Sequence, residues 1–478
     1  MSDIKHISDE HLIVTPSSEV NEESNTAETS PREVSTSTPY LYPTNSDAEL
    51  SKDIETPSRS CCSRWCSPIR AGSLRGAAFS ICSVTFGAGC LMFPKAVQIT
   101  GPILAIVILL SMGGASVYTE KVLVSAAVKA KIYDYDKLTL HTMGRGMVIF
   151  YDVNNIIFII GVIMTFQKAM YDFGENLLNI VFGVEKGTMV RLYLMVASTV
   201  LLQIPIGLLK DISKLQYASI VATFCLITTV LVIDLESPLY IWYNIKNNVQ
   251  FPSLFPKFDW SNNNYLDTFS IFLFGFSCHN GILNVLEEMK NPNKKRCNKV
   301  LNISFVLEVI LYGTIGFCGY FSTLSKTPDY FLTREDLPYF KDYFIILAQF
   351  TLFICLHCSC AVNFNIMRWS VQNICLNGKK MNMCFNVPFT IFIYCLCNAF
   401  VFFLSEMNSV LGIFSGFSNI VICFVIPIVA YLKVNLADKG WGHKLIPYTI
   451  LVVMIIIGTA CSIKSSITCV QDLIHGVK

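Results

Sequence analysis

Two short stretches put small residues and ionisable side chains inside otherwise apolar sequence. The first is Thr85-Phe86-Gly87-Ala88-Gly89-Cys90, followed by Pro94; the second is Phe276-Ser277-Cys278-His279-Asn280-Gly281. Hydrocarbon offers no hydrogen-bond partner, so backbone that leaves the helix at membrane depth must face other protein or a watery cavity. Glycine permits that departure and proline removes a donor N–H. The N–H groups freed between Phe86 and Cys90, at the positive end of a half-helix, suit a carboxylate. A simple glycine kink is the plainer reading of the first stretch taken alone.

His279 lies in the second stretch, and an unperturbed imidazole titrates near ~6.5. It could take up a proton, complete a pocket, or merely donate to a loose carbonyl. Glu308 sits within an apolar segment with no local partner, which makes it a second proton-binding candidate. Lys168 and Asp172, spaced i, i+4, could pair on one helix face, and a place at the membrane surface is the simpler explanation of both. Cys355, Cys358 and Cys360 surround His357. On a helix these do not share one face, so they read as core side chains, not metal ligands.

These residues need elements to hold them, and the composition says which kind. The chain has 478 residues, 53% hydrophobic and only 15% charged, with a mean hydropathy of +0.51. Soluble domains carry about 25% charged residues, so this is an all-α polytopic membrane protein. Residues 1–70 form an acidic Ser/Thr/Pro-rich tail that cannot bury a core and is expected to be disordered. No apolar stretch follows Met1, so the first span is expected to act as the insertion signal. Cys61, Cys62 and Cys66 stand among Arg59, Arg64 and Arg70, a place suited to acylation, although an unmodified basic segment is the simpler reading.

About eleven spans follow within residues 71–470, and 471–478 form a short C-terminal tail. The expected spans are 74–98, 102–128, 148–178, 192–209, 217–241, 268–286, 300–324, 344–373, 387–404, 410–432 and 446–462. Cations gather before span one and after even-numbered spans, including Lys129, Lys131, Lys294, Lys295 and Arg296. That bias puts the N-terminus in the cytoplasm. The two interrupted segments open successive runs of five spans, the pattern of an inverted repeat with its binding site near the midplane.

Three stretches resemble the amino acid/auxin permease family. They are FGFSCHNGILNVLEEMKNPNKKR in span six, Ile204 to Asp211 after span four, and SVLGIFSGFSNIVICFVIPIVAYLK in span ten. The likeness covers roughly 73–444. Lys95 after Pro94 and the cysteine at position 90 depart from the family pattern.

The resemblance implies the LeuT-type five-plus-five inverted repeat plus one extra helix, and an amino acid cargo moved with protons or sodium ions. It points to a pocket of Thr85, Gly87, Ala88, Gly89 and Cys90 with Phe276, Ser277, Cys278 and His279. The substrate carboxylate would meet the first break, and its amine the carbonyls near Phe276 and Ser277. The resemblance adds His279 and Ser359 to Glu308, which is read from its own place in the span, as candidates for ion coupling. Ser359 lies where relatives place sodium-binding hydroxyls, yet it is the only hydroxyl in CLHCSCAV, and a hard cation needs oxygens.

The expected function is secondary amino acid transport by alternating access, driven by protons, at the plasma membrane or in an acidic vacuole- or lysosome-like organelle. The alternatives are sodium coupling and an amino acid sensor signalling through the tail. The expected partners are the amino acid, the coupling ion and lipid, without nucleic acid or cofactor. The spans contain no HExxH or GxSxG, so an enzyme is not expected.

Overall fold

Side chains that are apolar on every face make helices that only a bilayer can accommodate, and the computed structural model is built from them. It describes residues 73–85, 88–208, 212–249, 265–289, 291–334, 337, 342–403, 414, 416–435 and 442–476. The N-terminal tail, Phe86, Gly87, the 250–264 loop and Lys290 lie outside the described residues, as do the three cysteines proposed for acylation.

Among the described residues, ten helices are long and apolar enough to cross a membrane. The interrupted first segment makes the eleventh crossing. It consists of α1 (Leu74–Thr85), a 3₁₀ turn at Ala88–Met92 and α2 (Phe93–Thr100). Gly101, at φ 77°, then separates α2 from α3 (Pro102–Ala130). A side chain there would be strained, and Pro102 opens the next helix with its φ already set.

A short α4 (Tyr135–Met143) precedes α5 (Arg145–Phe182) and α6 (Thr188–Gly207). Asp134 caps α4 by accepting from the Lys137 N–H. In the second half of the first repeat, α7 (Ile212–Lys246) completes five spans.

Span six is likewise split, into α8 (Tyr265–Gly275) and α9 (His279–Glu287). There follow α10 (Lys294–Thr323), α11 (Tyr343–Cys375), α12 (Met383–Phe403), α13 (Gly416–Val434) and α14 (Gly442–Gly476). Asn293 and Asp342 cap α10 and α11 through the N–H groups of Arg296 and Ile345. Each of α6 and α13 contains one π turn, where Ile204 donates to Thr199 O and Ile426 to Val421 O, five residues back. Both turns lead into an Ile-Pro pair, whose proline has no N–H with which to continue the α ladder.

Packing sorts the spans into two groups. In one, α10 lies against α1, α2 and α3, and α8 against α2 and α3; in the other, α11 packs along α5 and α6, and α12 along α5. Helix α7 bridges α10 and α11, and α13 bridges α3 and α4.

Candidate functional site

Each break exposes the carbonyl end of one half-helix, and a single side chain serves both. The Tyr312 hydroxyl, on α10, lies 2.8 Å from Gly275 O at the end of α8 and 3.2 Å from Thr85 O at the end of α1. Its ring packs edge-on against Phe93 and Phe276.

The carbonyls of span six are occupied as well. Ser116 donates to Phe276 O at 2.9 Å, and Ser277 donates to Leu273 O at 2.8 Å. Sequence reasoning left the Phe276 carbonyl free for a substrate amine, whereas in this conformation a span-two hydroxyl holds it. Gly89 is also closely packed, since a Cβ there would lie 2.6 Å from Phe274 Cδ1. Cys90 is buried. Gly87 lies outside the described residues, as do the side-chain surroundings of Ala88.

The second break converges on a residue the sequence reading missed, Glu120 of α3. Donor atoms of Glu120, Cys278 and His279 lie within 4.8 Å of one another, and all three residues are buried. The Cys278 thiol donates to Glu120 Oε1 at 3.2 Å, and Ser116 reaches the same oxygen at 3.3 Å. His279 Nε2 is 3.0 Å from Thr119 Oγ1, whose own proton goes to Ser116 O at 2.9 Å. That assigns the ring proton to Nε2, leaving a buried Nδ1 without a partner. Glu308 of α10 comes within electrostatic range of Glu120, and its Oε1 is buried and unpartnered. Thr85 faces both Glu308 and Cys278. An acid in the run GGASVYTEKVLV was the available signal for Glu120, because charges inside a span are functional candidates by default.

The remaining candidates stand apart from this cluster. Ser359 is half-buried on α11, with its carbonyl accepting from Asn363. His357 Nδ1 bonds Phe353 O within its own helix. Lys168 and Asp172 do pair, at 3.4 Å, in a group that also takes in Arg191 and Glu175.

The two ends of the molecule differ. At one end a cavity of about 400 Å³ is lined by Asp136, Tyr151, Asn280, Asn284, Trp369 and Ser370, among others. Asn280 and Gly281, in this lining, directly follow His279. Burial and the neighbouring Asp134 charge push the Asp136 carboxyl up to about 6. At the other end the loop after α10 folds inward, with Tyr330, Phe331 and Leu332 nearly inaccessible. Tyr330 donates to Thr165 O, and Lys95 of α2 holds Thr327 O and Asp329. Arg334 anchors the loop base through Glu236 at 2.7 Å and Asp342 at 2.5 Å, stacked on Tyr240. Lys95, noted as a departure from the family pattern, thus belongs to this closed end.

A solved structure with the LeuT-type fold, the inward-facing conformation of Mhp1, aligns with a TM-score of 0.58 at 10% identity, covering 85% of this chain and 91% of that one. Residues 70–471 match the family described as transmembrane amino acid transporter protein. The chain belongs to that family. A Plasmodium berghei (strain Anka) protein provisionally named amino acid transporter AAT1 is 22% identical over 451 residues, which are 84% of this chain and 71% of the relative. The sodium-coupled neutral amino acid symporter 2 of Danio rerio is 22% identical over 299 residues, or 59% of each chain. Family and fold are those of transporters, not enzymes.

Proposed function

We propose that this transporter carries amino acids by alternating access, with the proton as coupling ion. The observation that carries the reading is the unequal pair of ends: a cavity of about 400 Å³ reaches the residues after His279, while Tyr330 to Leu332 are packed away at the other face. A binding site near two broken helices, open to one side at a time, is what alternating access requires. The substrate carboxylate is assigned to the backbone of Gly87, Ala88 and Gly89, between Thr85 and Cys90. The remainder of the molecule would meet Phe276, Ser277, Cys278 and His279. Phe274 must then move away from Gly89 when substrate binds.

Proton coupling is supported by the acids buried around the second break and by the scarcity of hydroxyls beside Ser359. Sodium is the second reading, favoured by the name of the Danio rerio relative. With a cytoplasmic N-terminus, the cavity beside α4 opens to the cytoplasm, and the membrane is the cell surface or that of an acidic organelle.

The deciding experiment is uptake of a panel of labelled amino acids into proteoliposomes under imposed pH or sodium gradients. Accumulation driven by the pH gradient alone is expected. A strict sodium requirement indifferent to pH would replace the proton, and binding without flux would make the protein a sensor.

A further inference from the structure

Five spans surround two buried carboxyls with little to neutralise them. Glu120, on α3, and Glu308, on α10, are 5% and 4% exposed. The groups facing Glu120 are Cys278 at the break, His279 of α9, Glu308 of α10, Cys82 of α1 and Cys423 of α13, with Lys121 beside it on α3. Glu308 additionally faces Thr85 of α1 and Tyr312 on its own helix. Lys121 is the only cation in either set among the described residues. Two anions at such range, in a medium of low permittivity, destabilise one another, and a single proton removes the conflict.

The hydrogen bonds say which carboxyl holds it. Glu120 Oε1 is served by the Cys278 thiol at 3.2 Å, whereas the Ser116 hydroxyl, 3.3 Å away, gives its proton to Phe276 O. A donor of that kind stabilises an anion. The Thr85 hydroxyl has spent its proton on Ile81 O, at 2.9 Å, so toward Glu308 its oxygen can only accept. Something on Glu308 must therefore donate, and Glu308 Oε1 receives no donor. His279 is already arranged as a neutral Nε2–H donor to Thr119.

We propose that Glu308 is the carrier of the coupling proton and that Glu120 is the fixed charge that holds it there. This rests on the transport reading above and replaces His279 as the titrating group. The proton binds a Glu308 carboxylate oxygen from water at one face and leaves to water at the other. Thr85, at the end of the first half-helix, and Cys278, at the break in the second, sense which form is present. Loss of the proton turns Thr85 from a partner of Glu308 into a lone pair facing an anion. Both half-helices are thereby biased by one protonation event.

The test uses full-length protein in proteoliposomes, with accumulation under a one-unit pH gradient measured beside substrate counterflow, which needs no gradient. Glu308→Gln is expected to lose the gradient-driven accumulation, about tenfold per proton moved, while counterflow falls far less. Glu120→Gln is expected to shift the pH profile of uptake. His279→Asn, whatever it does to rate, is expected to leave that profile's shape unchanged. Gradient-driven accumulation persisting in Glu308→Gln would overturn the proposal, as would a flat pH profile in His279→Asn. Wild-type counterflow without any response to pH would overturn it too and leave amino acid transport standing, whereas absence of counterflow for every amino acid would remove the transport reading itself. Infrared difference spectroscopy reads the assignment directly, by comparing the wild type with Glu308→Gln. A protonated-carboxyl band that bleaches as pH rises in the wild type and is missing from the variant supports it, and a band unchanged in the variant overturns it.

Discussion

Gly89 shows how much one missing side chain decides. A Cβ there would lie 2.6 Å from the Phe274 ring, closer than side chains tolerate, so Gly89→Val must displace that ring from the second break. Overpacking of this kind costs about 1–3 kcal/mol. Uptake is expected to fall at least about tenfold, with a lowered melting temperature in detergent. Adding Phe274→Ala should restore the melting temperature but not uptake, because the space claimed by the valine is also that of the substrate. Recovery of uptake in the double variant would refute the carboxylate assignment.

Asp136 gives a pH signature outside the spans. Its carboxyl is raised from 3.8 to about 6, so the folded state binds the proton more tightly than the unfolded chain does. The stabilisation is complete below 3.8 and is lost as pH rises through about 6. Melting temperatures of the wild type should drop across that window, and Asp136→Asn should flatten the drop. A variant with an unchanged profile would show that the Asp136 proton is not linked to folding.

At the level of elements, much was legible because bilayer thickness imposes length and hydropathy on every span. The expected sixth span, 268–286, is observed at Thr268–Glu287, and the eighth, 344–373, at Tyr343–Cys375. Both interruptions fell where Gly, Ser and His replaced aliphatic residues. What stayed illegible was contact across spans. Glu120 is one acid in a long apolar helix, and nothing local in the sequence reveals that Cys278 donates to it from 158 residues away. The closing loop was equally hidden, since Tyr330-Phe331-Leu332 reads as an ordinary connection until Arg334 is seen clamped by Glu236 and Asp342.

That clamp makes a prediction about the loop as an element. Breaking a buried charge pair by removing one partner costs about 3–5 kcal/mol. Arg334→Met should therefore loosen the loop, and hydrogen exchange of 324–334 should rise well above wild type. Protection equal to wild type would mean that the aromatic packing alone holds the loop.

On the scale of the molecule, the two helix groups, α1 to α3 with α8 to α10 and α5 with α6, α11 and α12, meet around the breaks. The tail at 1–70 lies outside the described residues; its composition, rich in acids, Ser and Thr, is one expected to contribute little buried surface. Deleting residues 1–53 is therefore expected to leave flux in proteoliposomes within about twofold of the full chain. Loss of flux in purified tail-less protein would give the tail a part in the transport step.

The inward-folded loop also determines what an experimenter adding substrate on the loop's side of the membrane would measure. Tyr330, Phe331 and Leu332 are each at most 1% exposed, and hydrating such side chains costs roughly 2 kcal/mol apiece. A carrier that must open that face begins with most of its copies turned the other way. Ligand arriving there meets few receptive molecules, so its apparent affinity is weakened by the receptive fraction. Ligand arriving through the cavity beside Asn280 pays no such tax. One substrate, bound by one set of atoms, should therefore show two half-saturating concentrations, the weaker on the face that the loop guards.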